Sequence, residues 1–304
     1  MKIEILCAII HKNMREFVQQ TTKNLRKNMQ IILATNNKHK LQEVAEILAN
    51  SAINAEVLSL KDMQISEFNP AENGATFEEN AMIKARALCD LLNQKGISKP
   101  LLILADDSGL CVDALNGAPG AHSARFARVI NNDNLEANSS DFDNRVALIN
   151  ALKNAAVWGS RAYFKCSIAY IFYNFSQDFS PCIESRHLES KQDSMQSGVV
   201  SGICEGIVAI KELGNEGFGY DNMFYIDFNQ NATKSNNIDS INATKSNNLD
   251  SKIIESKLEN IDFSLKNIKF LESLNHSLAT LSMQEKNKIS HRAKALKQLI
   301  QILQ

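Results

Sequence analysis

The sequence predicts an α/β protein. Short apolar runs of strand character alternate along the chain with segments whose apolar residues recur at helical spacing, the pattern of strands interleaved with helices. Two boxes, Thr76-Phe77-Glu78-Glu79 and Ser282-Met283-Gln284-Glu285, mark helix starts, because hydroxyl and glutamate each satisfy an amide that the helix leaves free. With 304 residues, 44% of them hydrophobic, the chain is long enough for one large or two small lobes around a substantial core.

Ile31-Ile32-Leu33-Ala34 reads as the first strand. It runs through Thr35-Asn36-Asn37-Lys38-His39-Lys40 into a helix with Leu41, Val44, Ala45 and Leu48 on one face. The helix opened by Thr76 carries Ala81, Ala85, Leu88 and Leu92 and stops at Gly96. Residues 101–105 form a buried strand, followed by a short apolar segment at 110–115 and the turn dipeptides Asn116-Gly117 and Pro119-Gly120. A helix near 144–153 leads to 161–172, where Ala162, Phe164, Cys166, Ile168 and Tyr170 alternate as in a strand. Strands are expected at 198–209 and 219–228, and a last helix with Ile289, Ala293, Leu296, Ile300 and Leu303 on one face.

Three segments stand outside this pattern. Residues 173–197 are polar and irregular and read as an extended loop. Residues 229–277 are rich in Asn, Ser and Lys, and 231–240 recurs at 242–251 with Leu249 in place of Ile238. One duplication is too few for a solenoid, and the composition buries too little apolar surface to offset ordering entropy, so this stretch reads as a mobile insertion. At the N-terminus, Leu6 to Ile10 is short, preceded by Glu4 and without a small-residue cleavage site, which argues against a signal peptide. Met29 stands just before the first strand and is a candidate start, residues 1–28 being a misassigned or dispensable extension of a domain spanning 29–304.

Bulk properties exclude several classes. With 33 basic and 34 acidic side chains, neither nucleic acid nor an anionic membrane is expected as a partner held by bulk charge. No apolar run approaches the roughly 18 residues that span a bilayer. Six cysteines at 7, 89, 111, 166, 182 and 204 show no C-x-x-C spacing, so neither a zinc site nor a disulfide framework is indicated and the cytosol is the expected compartment.

The chemistry concentrates at Ala105-Asp106-Asp107-Ser108-Gly109, directly after Leu101-Leu102-Ile103-Leu104. The reading is a buried strand delivering two acids to a loop mouth. Adjacent aspartates repel unless a cation or donors compensate, and magnesium is the cation most often met by carboxylates at a phosphate site. The bland alternative is a solvated turn. A second feature is the strand-to-helix passage at Thr35–Lys40, where amides at the positive helix end, short polar side chains and Lys40 suit a phosphate group.

These two motifs are followed by Gly117-Ala118-Pro119-Gly120, Ser123-Ala124-Arg125, Gly217-Phe218-Gly219-Tyr220-Asp221 and Ile289-Ser290-His291-Arg292. In that order they resemble the inosine triphosphate pyrophosphatase family, over about 29–228 and 278–303. The resemblance implies an elongated mixed β-sheet with two α/β lobes flanking a central substrate cleft, usually in a homodimer. It also implies magnesium-dependent hydrolysis of ITP, dITP and XTP to the monophosphate and pyrophosphate.

Carried over residue by residue, Asp107 matches the catalytic acid and a metal position, and Glu72 a second metal-binding acid. Thr35, Asn36, Asn37, Lys38, His39, Lys40 and Ser108 fall on the triphosphate side, with Asp106 an orienting neighbour. Asn36 stands where the family has glycine; asparagine tolerates left-handed backbone, which would preserve the turn. Phe218, Gly219, Tyr220, Asp221, Lys286, His291 and Arg292 fall on the base side, although Lys288 competes with Lys286 for its place. Phe218 offers a stacking face, and Arg292, a donor-only group, would accept a 6-oxo but not a 6-amino purine. Asn222 replaces the usual proline after Gly-Tyr-Asp. Two rivals remain. A Maf-like nucleotide pyrophosphatase lacks support because its Ser-x-Ser-Pro-Arg-Arg opening is absent. A catalytically lapsed nucleotide-binding or interaction protein is weighed against by intact Lys40, Asp107 and Arg292.

Overall fold

The computed structural model describes residues 29–133, 137–174, 196–226 and 266–304. The 1–28 extension, the interior of the 173–197 loop and residues 229–265 of the insertion lie outside them. In chain order the elements are β1 (Met29–Leu33), α1 (Lys38–Ala49), β2 (Ala55–Leu58), α2 (Phe77–Gln94), β3 (Leu101–Val112), α3 (Phe126–Asn131), α4 (Asp141–Asn154), β4 (Gly159–Tyr173), β5 (Ser197–Ala209), β6 (Phe224–Tyr225), α5 (Met283–Ile289) and α6 (His291–Leu303). The strands form a mixed sheet of order β2-β1-β3-β4-β5-β6, with β1 parallel to β2 and β3 and β5 antiparallel to β6. The α/β class read from the sequence is thus the class observed. Among the described residues no helix is long and apolar enough to cross a membrane.

Two compact units divide the chain. The first draws its described residues from Met1–Gly109, Phe164–Cys204 and Asn287–Gln304. Successive strand residues point to opposite faces, and each face is buried by helices. Ile31, Leu33, Leu102 and Leu104 pack with Val44 and Leu48 of α1 and with Leu296, Leu299 and Leu303 of α6. Ile32, Leu101, Ile103 and Ala105 pack on the other side with Ala81, Ala85, Leu88 and Leu92 of α2. The Thr76 capping box is complete, Thr76 accepting from the Glu79 amide and Glu79 accepting from the Thr76 amide. Gly202 of β5 lies so close to α6 that a Cβ there would collide with the His291 carbonyl oxygen and the Ala295 amide. Gly202→Ala is therefore expected to lower stability by about 1–3 kcal/mol, the usual cost of overpacking. An unchanged urea midpoint would contradict this close approach.

The second unit draws on Leu110–Tyr163 and Glu205–Lys286. Its α4 is tied to α3 and the segment before it by buried Asn144, which accepts from the Ala127 amide and donates to the Ala124 carbonyl. The end of the expected insertion belongs to this unit. Residues 266–273 are helical, Leu274 packs with Ala209, Tyr225, Phe270 and Leu271, and Lys211 Nζ donates to the Leu271 and Leu274 carbonyls, each at 2.8 Å. Deleting 229–277 is accordingly expected to lower the melting temperature. An unchanged melting temperature would show that this packing contributes nothing.

Several expectations need correction. The acids do not sit at a loop mouth: β3 runs on for 12 residues, nearly all buried, with both aspartates in mid-strand. The expected 219–228 strand shrinks to Phe224–Tyr225, preceded by a 3-10 turn at Asp221–Met223. The last helix is broken at Ser290, which leaves α5 and caps α6 by accepting from the Ala293 amide. The first strand begins at Met29 itself, and β2 and α3 are additional.

Candidate active site

The strand alternation that sorts the β3 apolar residues also separates the two aspartates. Asp106 continues the face of Leu102 and Leu104, toward α1 and α6. Lys40 Nζ lies 3.0 Å from Asp106 Oδ2, and Arg292 reaches the same oxygen with Nη2 at 3.1 Å and Nε at 3.3 Å. Arg292 Nη1 donates to Glu43 Oε2, and the Ser290 hydroxyl that caps α6 donates to Glu43 Oε1 at 2.9 Å. Glu43 and Arg292 are each 1% exposed and Asp106 2%. Burial pushes the Asp106 carboxyl up, but Lys40 and Arg292 outweigh it and hold it well below the usual carboxylate range. Arg292 Nη2 also donates to Ser108 Oγ at 3.2 Å, so Ser108 joins this side.

Asp107 continues the opposite face, toward α2. Lys84 Nζ lies 3.1 Å from Asp107 Oδ1 and 3.2 Å from Glu72 Oε1. Asn80 Nδ2 approaches Asp107 Oδ2 at 3.4 Å while its Oδ1 accepts from the Gly74 amide at 2.8 Å, which ties down the segment bearing Glu72. Burial, reinforced by Glu72, raises the Asp107 carboxyl above its ordinary range despite Lys84 and Lys40. The carboxyls of two adjacent acids are thus pushed in opposite directions, Asp106 down by Lys40 and Arg292 and Asp107 up by burial.

The Thr35–Lys40 passage is shaped differently from expectation. Asn37 caps α1, its Oδ1 accepting from the His39 and Lys40 amides at 2.9 and 3.2 Å. Its own amide donates to Thr35 Oγ1 at 3.2 Å. Asn36 does not adopt a left-handed backbone; its side chain instead donates to the Phe68 carbonyl at 2.8 Å. Lys38 and His39 are exposed on the helix start. His291 stacks on Phe164, with ring centroids 5.0 Å apart and planes 16° from parallel.

In the second unit, Asp221 Oδ2 accepts from the Phe218 amide at 3.0 Å and from Lys286 Nζ at 2.7 Å. Lys286 Nζ also lies 4.8 Å from the Phe218 ring centroid, a cation–π distance. Lys286 is buried whereas Lys288 is exposed, so it is Lys286 that joins Asp221 and Phe218. The turn needs Gly217, whose φ is +87° and whose missing Cβ makes room for the Asp221 carboxylate. Tyr220 is buried, its hydroxyl donating to the Ser123 carbonyl at 2.8 Å.

Glu43, Asn80, Lys84 and Ser290 escaped the sequence reading as site residues. Asn80 and Lys84 did leave a signal: with Leu88 they form an i, i+4 row beside the apolar stripe of α2, polar residues at core spacing.

Whether these residues suit a divalent cation is decided by the donor set. Glu72 and Asp107 already converge on one ammonium, so their oxygens can address a common cation. No group of three His, Cys, Asp or Glu forms a metal cluster among the described residues. Magnesium needs none, since it takes one or two carboxylates and completes its shell with phosphate and water. The residues fit the ion.

Fold and site together define an α/β protein with a cation-braced aspartate pair in mid-strand, suited to a phosphorylated substrate. The chain belongs to the Ham1 family, whose family model matches residues 31–248 and 235–302. It is 32% identical over 268 residues, 88% of this chain and 94% of the relative, to a Campylobacter jejuni protein called dITP/XTP pyrophosphatase. A Thermoanaerobacter protein of the same name is 31% identical over 271 residues, covering 89% and 94%. Among solved structures, the Staphylococcus aureus Ham1 protein matches with a TM-score of 0.54 at 27% identity, over 90% of this chain and 97% of that one. A HAM1 protein from Coxiella burnetii matches with 0.56 at 28%, over 90% and 98%.

Proposed function

We infer that this protein is a nucleoside triphosphate pyrophosphatase that hydrolyses non-standard purine nucleotides, dITP, ITP and XTP, to the monophosphate and pyrophosphate. The observation that carries the reading is the opposite bracing of the two acids, Asp106 by Lys40 and Arg292 and Asp107 by Lys84 and Asn80, in a chain that aligns with 94% of a relative called dITP/XTP pyrophosphatase. Asp107 is the proposed general base. Water adds across the anhydride between the α and β phosphates, its proton goes to Asp107, and pyrophosphate leaves. Lys84 and Asn80 aim the Asp107 side chain. Asp106, fixed as an anion, holds Lys40 and Arg292 in place, and Lys40 and Ser108 serve the phosphates.

Glu72 and Asp107 would hold magnesium, which when bound neutralises charge on the triphosphate. On the base side, Phe218 supplies a stacking surface worth roughly 1–3 kcal/mol, while Asp221 and Lys286 supply an acceptor and a donor beside it, Lys286 over one face of the ring. Arg292, assigned to the base side by the resemblance, is instead buried among Glu43, Asp106 and Ser108, where it serves to hold Asp106 and Ser108. A cytosolic site of action agrees with the buried thiols of Cys89, Cys111, Cys166 and Cys204 among the described residues, and a homodimer belongs to the same reading, to be checked by sedimentation velocity.

The test is the kcat/KM of the purified chain for dITP and XTP against dATP and dGTP, with magnesium and with EDTA. Preference for the 6-oxo, non-standard bases, lost in EDTA, is expected. Equal rates with all four nucleotides would contradict the substrate class, and full activity in EDTA would remove the metal. Lys40→Ala should lower kcat/KM for every triphosphate by a similar factor, since a phosphate contact carries no base information. A loss confined to one base would contradict its assignment.

A further inference from the structure

One helix face grips both backbone groups of the residue between Phe218 and Tyr220. Asp141 and Arg145 of α4 stand four positions apart and so share a face. Asp141 Oδ2 accepts the Gly219 N–H at 2.8 Å, and Arg145 Nη1 donates to the Gly219 carbonyl at 3.2 Å. Arg145 Nε also donates to Glu212 Oε1 at 3.2 Å, and Glu212 Oε2 accepts from Asn222 Nδ2 at 2.8 Å. The loop is therefore held at Gly219 and again at Asn222 from the same arginine. The platform beneath is fixed, because Asn144 in the same turn is 3% exposed and bonds the Ala127 amide and Ala124 carbonyl at 3.0 and 3.1 Å. The gripped segment needs such support. Gly217 and Gly219 both have positive φ, +87° and +64°, and glycine left to itself ranges widely.

The two peptides flanking Gly219 set where the Phe218 ring and the Asp221 carboxylate point. Neither Asp141 nor Arg145 belongs to any motif of the sequence, and neither touches Phe218 or Asp221 through its side chain in the contacts above. We propose that Asp141 and Arg145 are positioning residues that determine base selectivity by fixing the peptide geometry of Gly219. The proposal deepens the function stated above and rests on it: phosphate contacts lie elsewhere, so the clamp affects which base is accepted more than how the anhydride is cut.

The experiment compares dITP and dATP kcat/KM for wild type, Asp141→Ala, Asp141→Asn, Arg145→Met and Asp143→Ala. Asp143 lies in the same first turn of α4, but its carboxylate accepts from Ser140 at 2.6 Å. Its loss removes the same charge from the helix start without touching the grip. Asp141→Ala and Arg145→Met should each lower the dITP/dATP ratio by about fivefold or more, the scale of one lost hydrogen bond. Asp141→Asn, which keeps an acceptor oxygen, should recover most of the ratio, and Asp143→Ala should leave it at the wild-type value. Melting temperatures confirm that all variants are folded at the assay temperature. If Asp141→Ala and Arg145→Met slow both nucleotides equally, or if Asp143→Ala shifts the ratio as much as Asp141→Ala, the clamp is only structural and the proposal fails. A wild type that releases no pyrophosphate from dITP would instead overturn the function on which the proposal stands.

Discussion

Arg292→Ala is expected to destabilise the protein by about 3–5 kcal/mol, because it leaves the carboxylates of Glu43 and Asp106 buried with their principal partner gone. For a chain of this size that corresponds to roughly 5–8 °C in melting temperature. Arg292→Lys should recover little, since a single ammonium cannot span Glu43, Asp106 and Ser108 as the guanidinium does. Adding Glu43→Gln to Arg292→Ala should restore part of the loss by removing one uncompensated charge. Thermal and urea unfolding of the three variants checks this. A drop of only a degree or two would show that the cluster is more hydrated than its burial implies.

Asp107→Asn should lower turnover by about 10²- to 10⁴-fold, the range for removing a general base, while the fold persists. The amide keeps the shape of the side chain and can still meet Asn80, and Lys84 keeps Glu72 as a partner. Asp106→Asn is expected to act differently. It removes the anion that anchors Lys40 and Arg292, so stability should fall along with activity. Rate constants set beside melting temperatures separate the two cases. Near-normal dITP turnover in folded Asp107→Asn would remove Asp107 from the chemistry.

The contrast between these neighbours shows where sequence reading stopped. Local chemistry was legible: the Thr76 capping box is a four-residue pattern and closes as expected, and β5 covers the expected 198–209. The extent of β3 was not. A strand buried on both faces shows no alternation of polarity, so two acids at its middle look like the start of a loop. What distinguishes Asp106 from Asp107 is only that odd and even positions face different helices, and those helices are brought in by packing. Arg292 meets Asp106 across 186 positions and Glu43 across 249, distances at which no local pattern operates. The break at Ser290 was hidden for a related reason. Apolar spacing continues smoothly from Ile289 to Leu303, and the serine that interrupts it is needed by Glu43, a partner from α1. Asn36 shows the converse: its backbone tolerance was a sound property of the residue, but here the side chain found the Phe68 carbonyl instead.

The central claim is cleavage between the α and β phosphates with Asp107 as base, and the most direct test is ³¹P NMR of the products formed from dITP in magnesium by wild type and by Asp107→Asn. Wild type is expected to yield dIMP and inorganic pyrophosphate in equal amounts, with no orthophosphate, and Asp107→Asn to leave dITP intact over the same time. Orthophosphate with dIDP from the wild type, or undiminished pyrophosphate from Asp107→Asn, would contradict it.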